Sequence, residues 1–487
     1  MLGSIAYTPY FVLLLLSTTV DAWYDPPTIL SYEKGLSCSR VERSSKLEDA
    51  YITFHVDLMI ADLKIPGLIF HYPDIVNFSS IPTIEEVNQL YPKEKKRLYK
   101  RSLTEDGKFN LEAAEGYTVD ESKLWTGIVD KDTKFNIPQS GIYCAYIAPD
   151  NKNQANFNLP IVFKNHYGSL SLRNYVFYSQ LKFLVPISVV IFVALHRFIK
   201  VGKGSTTRNS ISFISNQVIF AILVPFTVLH FYTLIVYWIK NNFYDSSQNT
   251  YITCILYTTA QLADSAFNSF TSYAIVLFAM GYGTIYYHSE KTGQYRLFPQ
   301  GSLINLNLFL AGDIVLSYFT EIHSQRHSRS YGDDFNGKTT IIQISFVSII
   351  IRIVSIFIDF VWLILPFTFY FRTKKDIATS PPITPDAKDN DKVLSSCKKT
   401  FIVIFLSTII KAMSFAVISL LVALIGGYNL PSFPEDTDRG LVYQSALRVM
   451  MDEQESPLRW GKIWLRWIQL LVLVVSISSF WSEIRLY

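Results

Sequence analysis

From residue 166 onward the chain carries one long apolar run after another, more than a single soluble core could bury. A helix needs about 20 consecutive, predominantly apolar residues to cross a bilayer. Seven stretches meet that need, at 175–195, 212–239, 253–283, 303–320, 340–371, 400–426 and 464–481. Composition agrees: the mean hydropathy is +0.22, with 15% aromatic and 17% charged residues, which is too apolar for an ordinary soluble domain. A net charge of +4, with no basic stripe interleaved with aromatics, argues against nucleic acid and leaves membrane lipids as the first expected partner.

The residues ahead of these runs have a different character. Residues 1–22 combine an apolar core, Tyr10–Leu16, with small residues around Val20-Asp21-Ala22, the pattern of a cleaved signal peptide. Residues 23–165 are then an exported domain of sufficient size to hold its own core. Strand-like runs at Tyr51–Val56, Gly67–Tyr72, Gly141–Ile147 and Phe157–Phe163, bounded by Gly, Pro and Asn, predict an antiparallel β-sandwich. In an oxidising compartment Cys38 and Cys144 have only each other as partners there, which predicts a disulfide. Asn77-Phe78-Ser79 is an acceptable N-glycosylation triplet. The charged run Lys93–Ser102 and the acidic, glycine-containing sequence after it read as an exposed loop or a frayed helix. Within it, Lys100-Arg101 is either part of a solvated face or a dibasic processing site.

An exported N-terminus followed by seven crossings, across residues 166–487, places the C-terminus in the cytosol. The predicted cytosolic loops (196–210, 284–302, 372–399) hold 13 Lys and Arg against 9 in the opposite loops, in the expected direction. The loop at 372–399, with Thr379-Ser380-Pro381-Pro382-Ile383-Thr384-Pro385, has a disordered composition and is either a linker or a cytosolic partner-binding segment.

Polar side chains inside the spans are the nearest thing to a site: His230, Asp264, Asn268, Asp313, Arg352, Asp359 and Lys411. Each is costly in hydrocarbon and has to be paired, interior or wet. Asp264 and Asn268, four apart, share a helical face, and Arg352 and Asp359 lie two turns apart on nearly one face. Two readings answer the same cost. One is a polar cavity for a ligand, a lipid headgroup or an ion; the other is a set of interhelical ion pairs and hydrogen bonds that fix helix order. Nothing points to catalysis, a metal or a cofactor. The four cysteines lack metal-binding spacing, and HExxH, GxSxG, a phosphate-cradling loop and GxGD are all missing.

Three short stretches resemble the Golgi-localised seven-transmembrane family, also called lung seven-transmembrane receptor proteins, and in particular its fungal members. Gly141-Ile142-Tyr143-Cys144 resembles the GxYC strand of that family's lumenal domain; Asn165-His166-Tyr167-Gly168-Ser169-Leu170 resembles its N-x-YG-x-L junction; Leu277 to Gly283 resembles the LGYG end of its third helix. The order of signal, lumenal domain and seven spans matches over essentially the whole chain. The similarity departs after Trp481, where Ser482-Glu483 stands in place of Arg-Pro. The resemblance implies a GOLD-like β-sandwich on a seven-helix bundle, residence in Golgi or endosomal membranes, and a role in membrane trafficking. The expected function is a receptor-like protein whose lumenal domain binds cargo or a trafficking partner, with an ion channel or transporter, or an orphan signalling receptor, as alternatives.

Overall fold

The computed structural model describes residues 28–30, 35–44, 50–56, 65–81, 102–148, 159–170, 172–201, 213–243, 251–286, 298–329, 346–379, 391, 393–407 and 461–482. Residues 1–22, read above as a signal peptide, together with Lys100-Arg101 and Lys411, lie outside these residues.

Eight strands form two antiparallel sheets. β1 (Thr28–Leu30), β8 (Leu159–Lys164), β3 (Tyr51–Phe54) and β6 (Thr133–Asn136) make one, in that order; β2 (Leu36–Val41), β7 (Gly141–Ile147), β4 (Ile65–His71) and β5 (Leu124–Val129) make the other. Alternate residues of both meet in a shared core: Ile52, Phe54 and Ile161 from the first sheet, Ile69, Tyr143 and Ala145 from the second. Because side chains alternate across a strand, the register Ser37↔Ala145, Cys38↔Cys144, Ser39↔Tyr143 sends both cysteines to the opposite face. There they are bonded to each other, as the sequence predicts.

That second face is also buried. Residues 72–81 and 102–124 lie across it, with Phe78 set edge-on to Phe70 and Phe109 against Tyr146. Residues 102–124 are otherwise largely exposed, as expected of a loop, and only a minority of their side chains reach the sheet. Leu103, Phe109, Leu111 and Val119, spaced without helical or strand periodicity, make that contact, whereas Tyr117 stays exposed. Burial on both faces explains why β4 and β7 read as nearly continuous apolar runs rather than alternating ones.

Seven helices follow among the described residues: α1 (Leu172–Val201), α2 (213–243), α3 (Tyr251–Ala279), α4 (Gln300–Arg329), α5 (Phe346–Thr379), α6 (393–407) and α7 (Gly461–Ser482). Five of them, α1, α2, α4, α5 and α7, are long and apolar enough to cross a membrane. In α2 the turn Ile219–Leu223 is π-helical, with the Val224 N–H bonded to the Ile219 carbonyl. Pro225 accounts for it, because proline has no N–H for the carbonyl of Ala221 and its ring crowds that oxygen aside.

Polar bonds and aromatic contacts join each helix to the next. Phe177 of α1 meets Tyr237 of α2, and Tyr232 of α2 meets Thr259 of α3 at 2.5 Å. Tyr273 of α3 donates to Asn307 of α4, and Trp362 of α5 to Asp313 of α4. Tyr370 of α5 stacks on Phe401 of α6, and Trp481 of α7 donates to Thr400 of α6. Trp467 of α7 donates to Ser188 of α1 at 2.8 Å, which closes the ring.

Candidate functional site

The first functional feature is the joint between the sheets and the ring. β8 ends at Lys164 and α1 begins at Leu172, so residues 165–170 must turn the chain from one body into the other. Asn165, 3% exposed, bridges the two: its Oδ1 accepts from the Glu42 backbone N–H at 2.7 Å and its Nδ2 donates to the Leu170 carbonyl at 2.9 Å. Asn241, in the last turn of α2, grips the same segment from below. Its Nδ2 donates to the Tyr167 carbonyl at 2.5 Å, its Oδ1 accepts from the Leu170 N–H at 3.3 Å, and its own carbonyl accepts from Ser169. Tyr167 stacks on Tyr175 of α1 with ring centroids 3.7 Å apart.

Gly168 makes this grip feasible. Its φ of +129° is a conformation that L side chains rarely adopt, and a Cβ there would fall on the Asn241 carboxamide. Two buried amides thus satisfy the Tyr167 carbonyl and both backbone groups of Leu170, while Asn165 and Gly168 pair with each other through their backbones, as burial demands. Asn241 and Glu42 carry no sequence signal for this role.

The other two resembling stretches also have structural work. In Gly141–Cys144, Tyr143 faces the inter-sheet core and donates to the Gln139 carbonyl at 3.0 Å, and Cys144 turns the other way into the disulfide. Burial pushes the Tyr143 hydroxyl up to about 12, so it stays protonated as that donor. Leu277–Gly283 ends α3: Gly281 at φ +95° lets its N–H reach Phe278 and the Tyr282 N–H reach Leu277.

The second feature lies inside the ring. Arg466 of α7 makes a two-point contact with Asp264 of α3, Nη1 to Oδ2 at 3.3 Å and Nη2 to Oδ1 at 3.2 Å. α2 packs against both α3 and α7 on one side, and α4, α5 and α6 complete the ring on the other. A bond that spans α3 and α7 is therefore interior. Its side chains are nonetheless 45% (Asp264) and 31% (Arg466) exposed. His230 of α2 completes the group, buried at 8% exposure with its ring against Phe226. It lies about 16 Å along α2 from Asn241, at the helical rise of 1.5 Å per residue.

Asp313 and Asn268 do not join this group. Asp313 is buried in a separate site, where it accepts from Trp362 at 2.9 Å and from Ser317 at 3.2 Å. Asn268 is exposed one turn beyond Asp264, and Asp359 is exposed on α5. The side chain of Arg352 lies outside the described residues, as does Lys411. Asn77 closes a short 3-10 turn, Tyr72–Asn77, and lies near Asp74, Val119, Asp120 and Lys123. Asp120 is held below the usual carboxylate range by hydrogen bonds from Ser122 and Lys123.

Sequence reasoning missed Arg466 and Trp362. Arg466 sits at the edge of its span and reads as a loop charge; Trp362 reads as one more apolar residue of α5. No metal-binding cluster of His, Cys, Asp or Glu occurs among the described residues. No protein-family model matches this chain, and no curated protein matches it either.

Proposed function

We propose that this chain is a seven-span protein of Golgi or endosomal membranes, with its β domain in the lumen and its C-terminus in the cytosol. In this reading it acts in membrane trafficking, the β domain binding a lumenal cargo or partner and the ring transmitting occupancy to the cytosolic face. The observation that carries it is the Asn165–Leu170 joint. A tether that only anchored a domain would need a single polar connection, whereas this one fixes β2, α1 and α2 to each other through two buried amides. A rigid connection is what lets binding at one body bias the other. The three stretches that resemble the Golgi-localised seven-transmembrane family support the same reading, since each has a definite structural role here.

The Asn77 triplet supplies the test. In cells with mammalian glycan processing the protein should carry one glycan at Asn77 that has become resistant to endoglycosidase H, and Asn77→Gln should remove the corresponding mass. Crosslinking through the β domain should then recover a lumenal protein that is misrouted when this chain is deleted. A glycan that stays fully sensitive, with no lumenal protein misrouted on deletion, would contradict the proposal.

A further inference from the structure

We propose that His230, Asp264 and Arg466 form a proton-operated contact that ties α3 to α7 at neutral pH and slackens in acid. The register of α2 against α3 brings the three together. Phe226 meets Phe267 with ring centroids 5.5 Å apart, and Tyr232 meets Thr259. In an antiparallel pair, His230, one turn from Phe226 toward Tyr232, comes level with Asp264, just under one turn from Phe267 toward Thr259.

The hydrogen bonds then assign the protons. His230 Nδ1 lies 2.8 Å from the Phe226 carbonyl, which can only accept, so the neutral ring carries its hydrogen on Nδ1. Nε2 is where a second proton enters. The charged groups that face the ring are Asp264 from α3 and Arg466 from α7, and none comes from α1 among the described residues. With the ring neutral, one carboxylate balances one guanidinium, both oxygens engaged by both nitrogens.

A proton on Nε2 gives that single carboxylate two cations to satisfy. The charged imidazole reaches an oxygen only by displacing one guanidinium nitrogen, and its like charge repels Arg466. Burial opposes a charge on this ring and the facing Asp264 carboxylate favours one, so the second proton enters only once the solution is acid enough to offset the cost of charging the imidazole in place. The partial exposure of Asp264 and Arg466 gives the proton a route to the ring. The weakened pair lets α7 move off α3 by about 1–2 Å, the usual scale of a helix shift between two packed states. This inference stands on the geometry of the ring and is independent of the trafficking role.

The test is a distance between spin labels placed at two exposed positions, Ile255→Cys on α3 and Ile468→Cys on α7. The full chain is reconstituted in nanodiscs with Cys254→Ser and Cys397→Ala. Between pH 7.5 and 5.5 the mean distance should lengthen by about 2 Å. With His230→Gln added it should hold its neutral value at both pH values, and with Asp264→Asn it should show the longer value at both. A wild-type distance that does not change with pH, or a change that survives His230→Gln, overturns the proposal.

Discussion

Gly168→Ala should unlock the β domain from the helical ring. Two costs combine at this position. The backbone φ of +129° is one that an L residue occupies at a cost of about 1–3 kcal/mol. The new methyl group also lands on Asn241, which cannot withdraw without giving up its bonds to Tyr167 and Leu170. Each buried hydrogen bond lost adds about 1 kcal/mol, so the total is about 3–5 kcal/mol. In thermal unfolding of the purified protein the variant should melt well below wild type, and amide exchange should rise first at residues 165–170. Gly301→Ala is the control: nothing lies within 4 Å of the added Cβ and its φ is ordinary, so its effect should stay within about 0.5 kcal/mol. A Gly168→Ala protein that melts with the control would show that the joint is not held as described.

Removing the disulfide should be comparably severe but confined to the sheets. Cys38 and Cys144 are 106 residues apart, and a closed loop of about that length restricts the unfolded chain enough to contribute about 3–5 kcal/mol. Both cysteines are buried between β2 and β7, beneath residues 72–81 and 102–124. Cys38→Ala with Cys144→Ala should therefore loosen that cover, and limited proteolysis should cut within 102–124 while α1 to α7 remain protected. Protection of residues 102–124 equal to wild type would contradict this.

The parts of the fold legible in the sequence are those where one physical signal acts alone. β4 and β7 were legible because burial on both faces makes them continuously apolar. β2 was not: Ser37 and Ser39 point toward the first sheet and break its apolar run. β6 is short, at an edge, and carries Lys134 and Asn136, so its four residues resemble a loop. Hydropathy marked the spans but not the helix ends. α4 continues to Arg329 through polar residues, because apolar length records contact with a membrane whereas helix length records backbone hydrogen bonding. At the interior site, His230 and Asp264 were visible as costly residues. Their partner was not, since Arg466 is 202 residues from Asp264 and only the closure of the ring brings them together. Asp313 shows the same limit, being satisfied by an indole 49 residues away.

The central claim is a folded β domain held on the non-cytosolic face of a membrane-embedded ring. It is tested most directly by a protease-cleavable tag inserted after Gly116, in an exposed turn where a Cβ added to the glycine would meet nothing within 4 Å. In sealed vesicles prepared from cells, the account predicts that this tag resists added protease until detergent is present, while a tag at the C-terminus is cut at once. Cleavage after Gly116 in intact vesicles, with the C-terminal tag protected, would place the β domain in the cytosol and contradict the account.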